Sequence, residues 1–255
     1  MLRGLRAAGL LPVPADRLGD AQTILRDAAT RIFASHHDRL APAIERVWDD
    51  EIALMHGDLR LWLTQLAAGS AEWVPRYFEL SFGLPIDGAH DEASVPAPVV
   101  IDGRFAIRGA IDLVEQHGAL GSLRVTDHKT GRNRTTRGTV VGGGGTLQPI
   151  VYSLVAEQML GVPVSSARLW FATTAGGFTE HPVSLRDEHR RAGIEVLEIV
   201  DRAVELGALP QAPKKGTCSW CDFRGVCGPL EEDRARRKGS SLGVLEELEA
   251  LRGMP

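Results

Sequence analysis

The amino-acid sequence predicts an α/β fold, with helices arranged around a central β-sheet, and three features predict it. The first 70 residues place apolar side chains at helical spacing, as do two later segments near residues 148–160 and 186–206. Between these lie short β-branched and aromatic runs bounded by glycine and proline, the pattern of strands and hairpins. With 255 residues the chain can bury a full core, as one large domain or two small ones.

In chain order, Met1–Arg17 opens with a short basic, apolar stretch, MLRGLRAAGL, followed by two prolines. A helix is expected from Asp20, which can cap it, to about His37, with Ile24, Ala28, Ile32 and Phe33 on one face. Pro42 sits where a second helix can begin, running to about Ile52, and a third covers Asp58–Ala68. The leucines and aromatics of these three are expected to be core. Trp73–Gly83 has strand character, and the acidic, proline-containing Leu84–Ala97 reads as a surface loop. Phe105–Val114 and Ser122–His128 predict a central hairpin around the glycines at 118 and 121. Arg132–Leu147, RNRTTRGTVVGGGGTL, is basic and too glycine-rich to hold a regular element well. Gln148–Leu160 reads as a buried amphipathic helix, Arg168–Thr174 as an apolar strand, and Phe178–Ser184 as its hairpin partner. A long helix over about Arg186–Leu206 leads to a cysteine module and a charged tail. In that tail Leu242, Leu245, Leu248 and Leu251 predict one peripheral helix.

Composition narrows the function. The apolar share of 44% and charged share of 24% are those of an ordinary globular protein. A net charge of −4 argues against a protein that coats nucleic acid broadly, while leaving room for a local basic groove. No apolar run approaches the ~20 residues needed to cross a bilayer, and no signal-peptide pattern opens the chain. A cytoplasmic protein without membrane association is therefore expected. The three cysteines, all between 218 and 227, make no disulfide framework, and in a reducing compartment such a cluster points to a metal or cluster site.

The chemistry concentrates in GAIDLVEQHGALGSLRVTDHKTG, residues 109–131. Asp112 lies in the first strand, while Asp127 and Lys129 end the second. Two residues apart on a strand, Asp127 and Lys129 project to one face. Two acids and a lysine converging at one sheet end make a divalent-metal site with a cation beside it, suited to hydrolysing a phosphodiester. Surface charges on a solvated hairpin are the alternative reading. Downstream, Gln148 and Tyr152 stand four apart and share a helix face. Arg132, Arg134 and Arg137, then Lys214 and Lys215, supply cations that could follow a DNA backbone or simply decorate a solvated loop. Glu79, in the strand before the hairpin, could face the site but reads more readily as a surface acid.

In the order G-x-I-D, D-x-K-T-G and Q-x-x-x-Y, these motifs resemble the PD-(D/E)xK nuclease superfamily, over about residues 70–230. The RecB-type and AddB-type nuclease domains of bacterial recombination-repair complexes are the most similar. The resemblance implies a restriction-endonuclease-like core, a central mixed β-sheet flanked by helices, with an N-terminal helical layer and a C-terminal cysteine staple. On that pattern residues 1–70 are the helical layer, 71–210 the nuclease core, 211–230 the cysteine module and 231–255 the tail. It implies Asp112, Asp127 and the backbone carbonyl of His128 as ligands of Mg²⁺ or Mn²⁺, and Lys129 as the catalytic lysine. Gln148 and Tyr152 then line the site, and Arg132, Arg134 and Arg137 contact DNA. The implied activity is metal-dependent cleavage of DNA, single strands especially, by an exonuclease of a repair or recombination system, with a helicase or second subunit as partner. A catalytically silent DNA-binding or scaffold module and a zinc-binding interaction domain are the rivals.

Relatives also carry an upstream helical histidine in the metal shell. His36, His37 and His56 do not fit that role, and LRGLRAAGLLP resembles the helix just after it. The chain is thus expected to start inside a larger protein. Cys218-x-x-Cys221-x₅-Cys227 resembles the C-terminal part of an iron–sulfur staple whose first cysteine lies far upstream. A [4Fe–4S] cluster is implied for the intact protein, absent or labile in this chain; a zinc site and three unligated thiols are the alternatives.

Overall fold

The computed structural model describes residues 1–69, 72–85, 90–207, 211, 213, 215–237 and 243–255. The chain runs α1 (Leu2–Ala7), α2 (Leu18–Leu40), α3 (Glu45–Ala68), β1 (Trp73–Phe82), β2 (Val99–Ile101), β3 (Phe105–Ile107), β4 (Gly109–His117), β5 (Leu123–Lys129) and α4 (Gln148–Leu160). It continues with β6 (Val164–Phe171), β7 (Glu180–Ser184), α5 (Asp187–Glu205), α6 (Arg224–Cys227), α7 (Glu231–Arg237) and α8 (Gly243–Gly253). Five strands form one sheet in the order β1-β4-β5-β6-β7. The β5–β6 pair is parallel and the other three pairs are antiparallel, so the sheet is mixed. A parallel pair cannot be joined by a tight turn, and α4 provides the crossover. This is the helix-flanked mixed sheet of a restriction-endonuclease-like α/β fold.

Side chains alternate along each strand, which gives the sheet two distinct faces. On one, α1, α2 and α3 close a core of Leu5, Leu10, Val13, Leu25, Trp62 and Leu63 against Trp170 of β6. On the other, α4 buries Ile150, Val155 and Ala156. Its apolar residues lie all round the axis, so it is a buried helix and not the amphipathic one the sequence suggests.

Several boundaries differ from expectation, each for a local reason. Asp20 does not cap α2. The helix starts two residues earlier behind a 3₁₀ turn at Ala15–Arg17, and Asp20 pairs with Arg17 in its first turn. The two helices expected after Pro42 are one. Gly57 inside a helix costs about 1 kcal/mol, which burial of Trp62 and Leu63 in the same helix outweighs. Phe105–Ile107 leaves the central hairpin and pairs with Val99–Ile101 in a separate ribbon. Asp102 and Gly103 explain it: both adopt the left-handed conformation (φ +52° and +66°), the type I′ hairpin pattern, and Arg104 N–H donates to the Ile101 carbonyl at 3.1 Å. The strand expected at Arg168 begins at Val164.

Contacts divide the chain into two compact units, Met1–Thr139 with Gln148–Arg186, and Val140–Leu147 with Asp187–Pro255. In the second, the backbone N–H groups of Val140, Val141 and Gly142 converge on the Pro255 carbonyl at 2.7–3.1 Å. Gly143 (φ +60°) lies so close that a Cβ there would sit 2.8 Å from the Arg252 carbonyl. Leu242 and Lys214 lie outside the described residues.

Candidate active site

The site lies where β4 and β5 part. Their last pair is Leu113 opposite Thr126, so Asp112 and Asp127 are the next residues on the two strands. There the ladder ends on a side chain: Asp112 Oδ2 accepts the His128 N–H at 2.7 Å. Asp127 is 3% exposed and its Oδ2 lies 2.7 Å from Lys129 Nζ. That ion pair lacks hydrogen-bond angles, which leaves the buried oxygen with coordinating capacity. Lys129 instead donates to Gln148 Oε1, the first residue of α4. The structure therefore brings Asp112, Asp127, Lys129 and Gln148 to one sheet edge.

Tyr152, one turn along α4, stands at Gly109. A Cβ on that glycine would meet the Tyr152 hydroxyl at 3.3 Å and Phe82 at 3.2 Å, so the strand and helix approach as closely as glycine allows. The His128 ring points to the opposite face, between Trp62 and Trp170, with centroids 5.7 and 5.5 Å away. Burial pushes its pKa down to about 4, and Arg168 adds to the shift.

Burial also pushes the Asp112 carboxyl up to about 6, with the charges of Asp127 and Glu79 adding to the rise; the His128 N–H and Lys129 oppose it. The cation beside it, Lys129, offsets only part of that rise. Among the described residues no three His, Cys, Asp or Glu side chains gather as a metal-ligand group. The two carboxylates are nonetheless a suitable donor set for Mg²⁺, which keeps several waters and needs only one or two.

Asp112 opens onto a cleft of about 1020 Å³, walled on one side by α2 and α3 and on the other by strand ends. Glu79 lines it, although the sequence reads as placing this acid on the surface. It is indeed exposed, but within the cleft. The strand pairing puts it there: antiparallel pairing of Phe78 with Leu113 and Leu80 with Ile111 leaves Glu79 level with Asp112. Its left-handed backbone (φ +55°) interrupts the ladder there.

Arg132, Arg134 and Arg137 are exposed on the loop after β5. Asn133 anchors that loop, its Oδ1 accepting the Thr135 N–H at 3.0 Å and contacting His181 Nε2 at 3.0 Å. The upstream histidines belong to the helical hairpin: His36 bonds the Ile32 carbonyl, His37 contacts Glu45 at 3.0 Å, and His56 packs edge-on to Phe33. In the other unit, Cys218 is buried, and its thiol is held above the ordinary range by burial and by Glu231 and Glu232. Cys227 Sγ takes a hydrogen bond from Gln211 at 3.0 Å. The three sulfurs do not form a ligating group in this arrangement.

No curated protein matches the sequence. The family model of the PD-(D/E)XK nuclease superfamily matches residues 7–228.

Proposed function

The chain belongs to the PD-(D/E)XK nuclease superfamily, and from that premise we propose that it is a Mg²⁺-dependent phosphodiesterase cleaving single strands of DNA. We read it as an exonuclease of the RecB or AddB type, serving repair or recombination in the cytoplasm beside a helicase or second subunit. No described helix is long and apolar enough to cross a membrane. The observation that carries the proposal is Lys129, suspended between Asp127 and Gln148 with Asp112 on the neighbouring strand.

Asp112, Asp127 and the His128 carbonyl would hold the metal, which when bound lowers the pKa of a coordinated water and offsets charge on the phosphate. Asp127 would do two things: its buried oxygen would be a metal ligand, and its charge keeps Lys129 at the site. Gln148 fixes the ammonium from the other side, so the positive charge is already placed when the phosphate arrives. A preorganised donor of this kind contributes on the order of 10²–10³ in rate. Tyr152 borders the site through Gly109, and Arg132, Arg134 and Arg137 give salt-sensitive hold on the DNA backbone.

The resemblance of Cys218, Cys221 and Cys227 to the C-terminal part of an iron–sulfur staple supports an iron–sulfur module apart from catalysis. Their present arrangement does not fit a cluster, so no step is routed through one. The direct test is cleavage of a labelled single strand with Mg²⁺. Asp127→Ala should abolish cleavage while the melting temperature holds, and wild-type turnover in that variant would end the assignment.

A further inference from the structure

We propose that the cleft beside Asp112 receives the unpaired bases of the nucleic-acid strand, while its phosphates pass on the Lys129 and arginine-loop side. The proposal rests on the nuclease reading and gives its site an orientation.

Charge is partitioned sharply here. Glu51, Asp58, Glu79 and Asp112 all line the cleft, and none of its described lining residues is lysine or arginine. A phosphodiester deep inside would meet Glu51, Asp58 and Glu79 with no lysine or arginine side chain on the lining to offset them; Met1 also lines the cleft, and burial lowers the pKa of its amine. The cations stand outside: Thr130 forms part of the cleft wall, and Arg132 and Arg134 follow two and four residues later on the exposed loop. A polyanion is thus excluded from the interior and welcomed at the rim.

The opposite wall suits bases. Phe33 of α2 and Leu54, Met55, Leu59 and Trp62 of α3 give it apolar surface between the acids Glu51 and Asp58 of the same helix. Leu54 and Met55 remain 64% and 42% exposed, which leaves apolar area in water beside a catalytic edge. Every base has a flat π-face that stacks without regard to sequence, and methionine adapts to such surfaces. At about 1020 Å³ the cleft is at the upper end of the roughly 300–1,000 Å³ of small-molecule sites, room for more than one base. A single strand carries bases and phosphates on opposite sides of its sugars, which matches an apolar cavity next to a basic rim. Paired bases point inward to each other and cannot enter until the duplex opens.

The test uses the whole chain and a short fluorescent strand, with Ca²⁺ replacing Mg²⁺ so that binding is read without turnover. Fluorescence anisotropy compares the strand, the same strand with consecutive abasic sugars, and its duplex. Abasic and duplex forms are expected to bind roughly tenfold more weakly. The double variant Leu54→Ser, Met55→Ser changes only exposed side chains. It should weaken the normal strand by a similar factor and leave the abasic strand unchanged. Equal affinity for normal and abasic strands, or equal weakening of both by the variant, overturns the cleft assignment while Mg²⁺-dependent cleavage persists. Absence of any Mg²⁺-dependent cleavage overturns the nuclease reading and this proposal together.

Discussion

Lys129 is held by two partners of different kinds, an ion pair with the Asp127 carboxylate and a hydrogen bond to the Gln148 amide oxygen, and neither contact makes it a metal ligand. Lys129→Ala should therefore reduce cleavage on the order of 10²-fold while Mn²⁺ still binds. Calorimetric titration checks this; joint loss of metal affinity and activity would reverse the role given to the lysine. Asp112 sets the pH dependence. Its carboxyl, raised to about 6, must lose a proton to ligate, so metal affinity should fall as pH drops through that value and level off above it. Mn²⁺ titrations at pH 5, 6 and 7.5 test the slope, which Asp112→Asn should flatten. In the metal-free protein the same shift has the opposite consequence for stability. Between 3.8 and about 6 the folded state binds the proton more tightly, so stability is lost as pH rises across that window.

At the scale of the elements, one buried network ties four strands together. Glu115 on β4, 1% exposed, accepts from Arg124 on β5 at 2.7 and 2.8 Å and from Thr126 at 2.9 Å. Arg168 on β6 donates to Thr126 Oγ1, to Glu115, and to Glu180 on β7. Burial pushes the Glu115 carboxyl up, but Arg124 and Arg168 outweigh it and hold it below the ordinary range. Its contribution is thus present above the unfolded carboxyl's pKa and is lost as pH falls through the lower folded value. Removing one partner strands the others' charge: Glu115→Ala is expected to cost about 3–5 kcal/mol in urea denaturation at pH 7. A loss under 1 kcal/mol would show the arginines to be solvated. The network reaches Thr126, the residue before Asp127 and the partner of Leu113 in the last β4–β5 pair, so it braces the strands directly beside the candidate site.

For the whole molecule, the candidate catalytic residues all fall in one compact unit and the cysteines in the other. Trp220 and Phe223, beside the cysteines, are 88% and 72% exposed. Thiolate ligation would couple cluster binding to the folding of this module, since an unfolded chain has no preformed site. Protein purified without oxygen is expected to carry at most a labile iron centre that bleaches in air. Stoichiometric zinc with no iron, by elemental analysis, would replace the cluster reading with a structural zinc site.

The sequence by itself determined the parts whose signal is local. Runs of strand-forming and helix-forming residues located β1, α4 and α5 to within a residue or two, and strand alternation placed Asp127 and Lys129 on one face. Tertiary structure decided what depends on distant partners. The contact between Lys129 and Gln148 spans 19 residues and requires the parallel β5–β6 crossover. Trp62 and Leu63, by packing into the sheet, made one helix where glycine suggested two. An Asp-Gly turn drew Phe105–Ile107 out of the central strand. Glu79 entered the cleft because β1 pairs with β4, a choice made by the buried faces of both strands and invisible in either one alone.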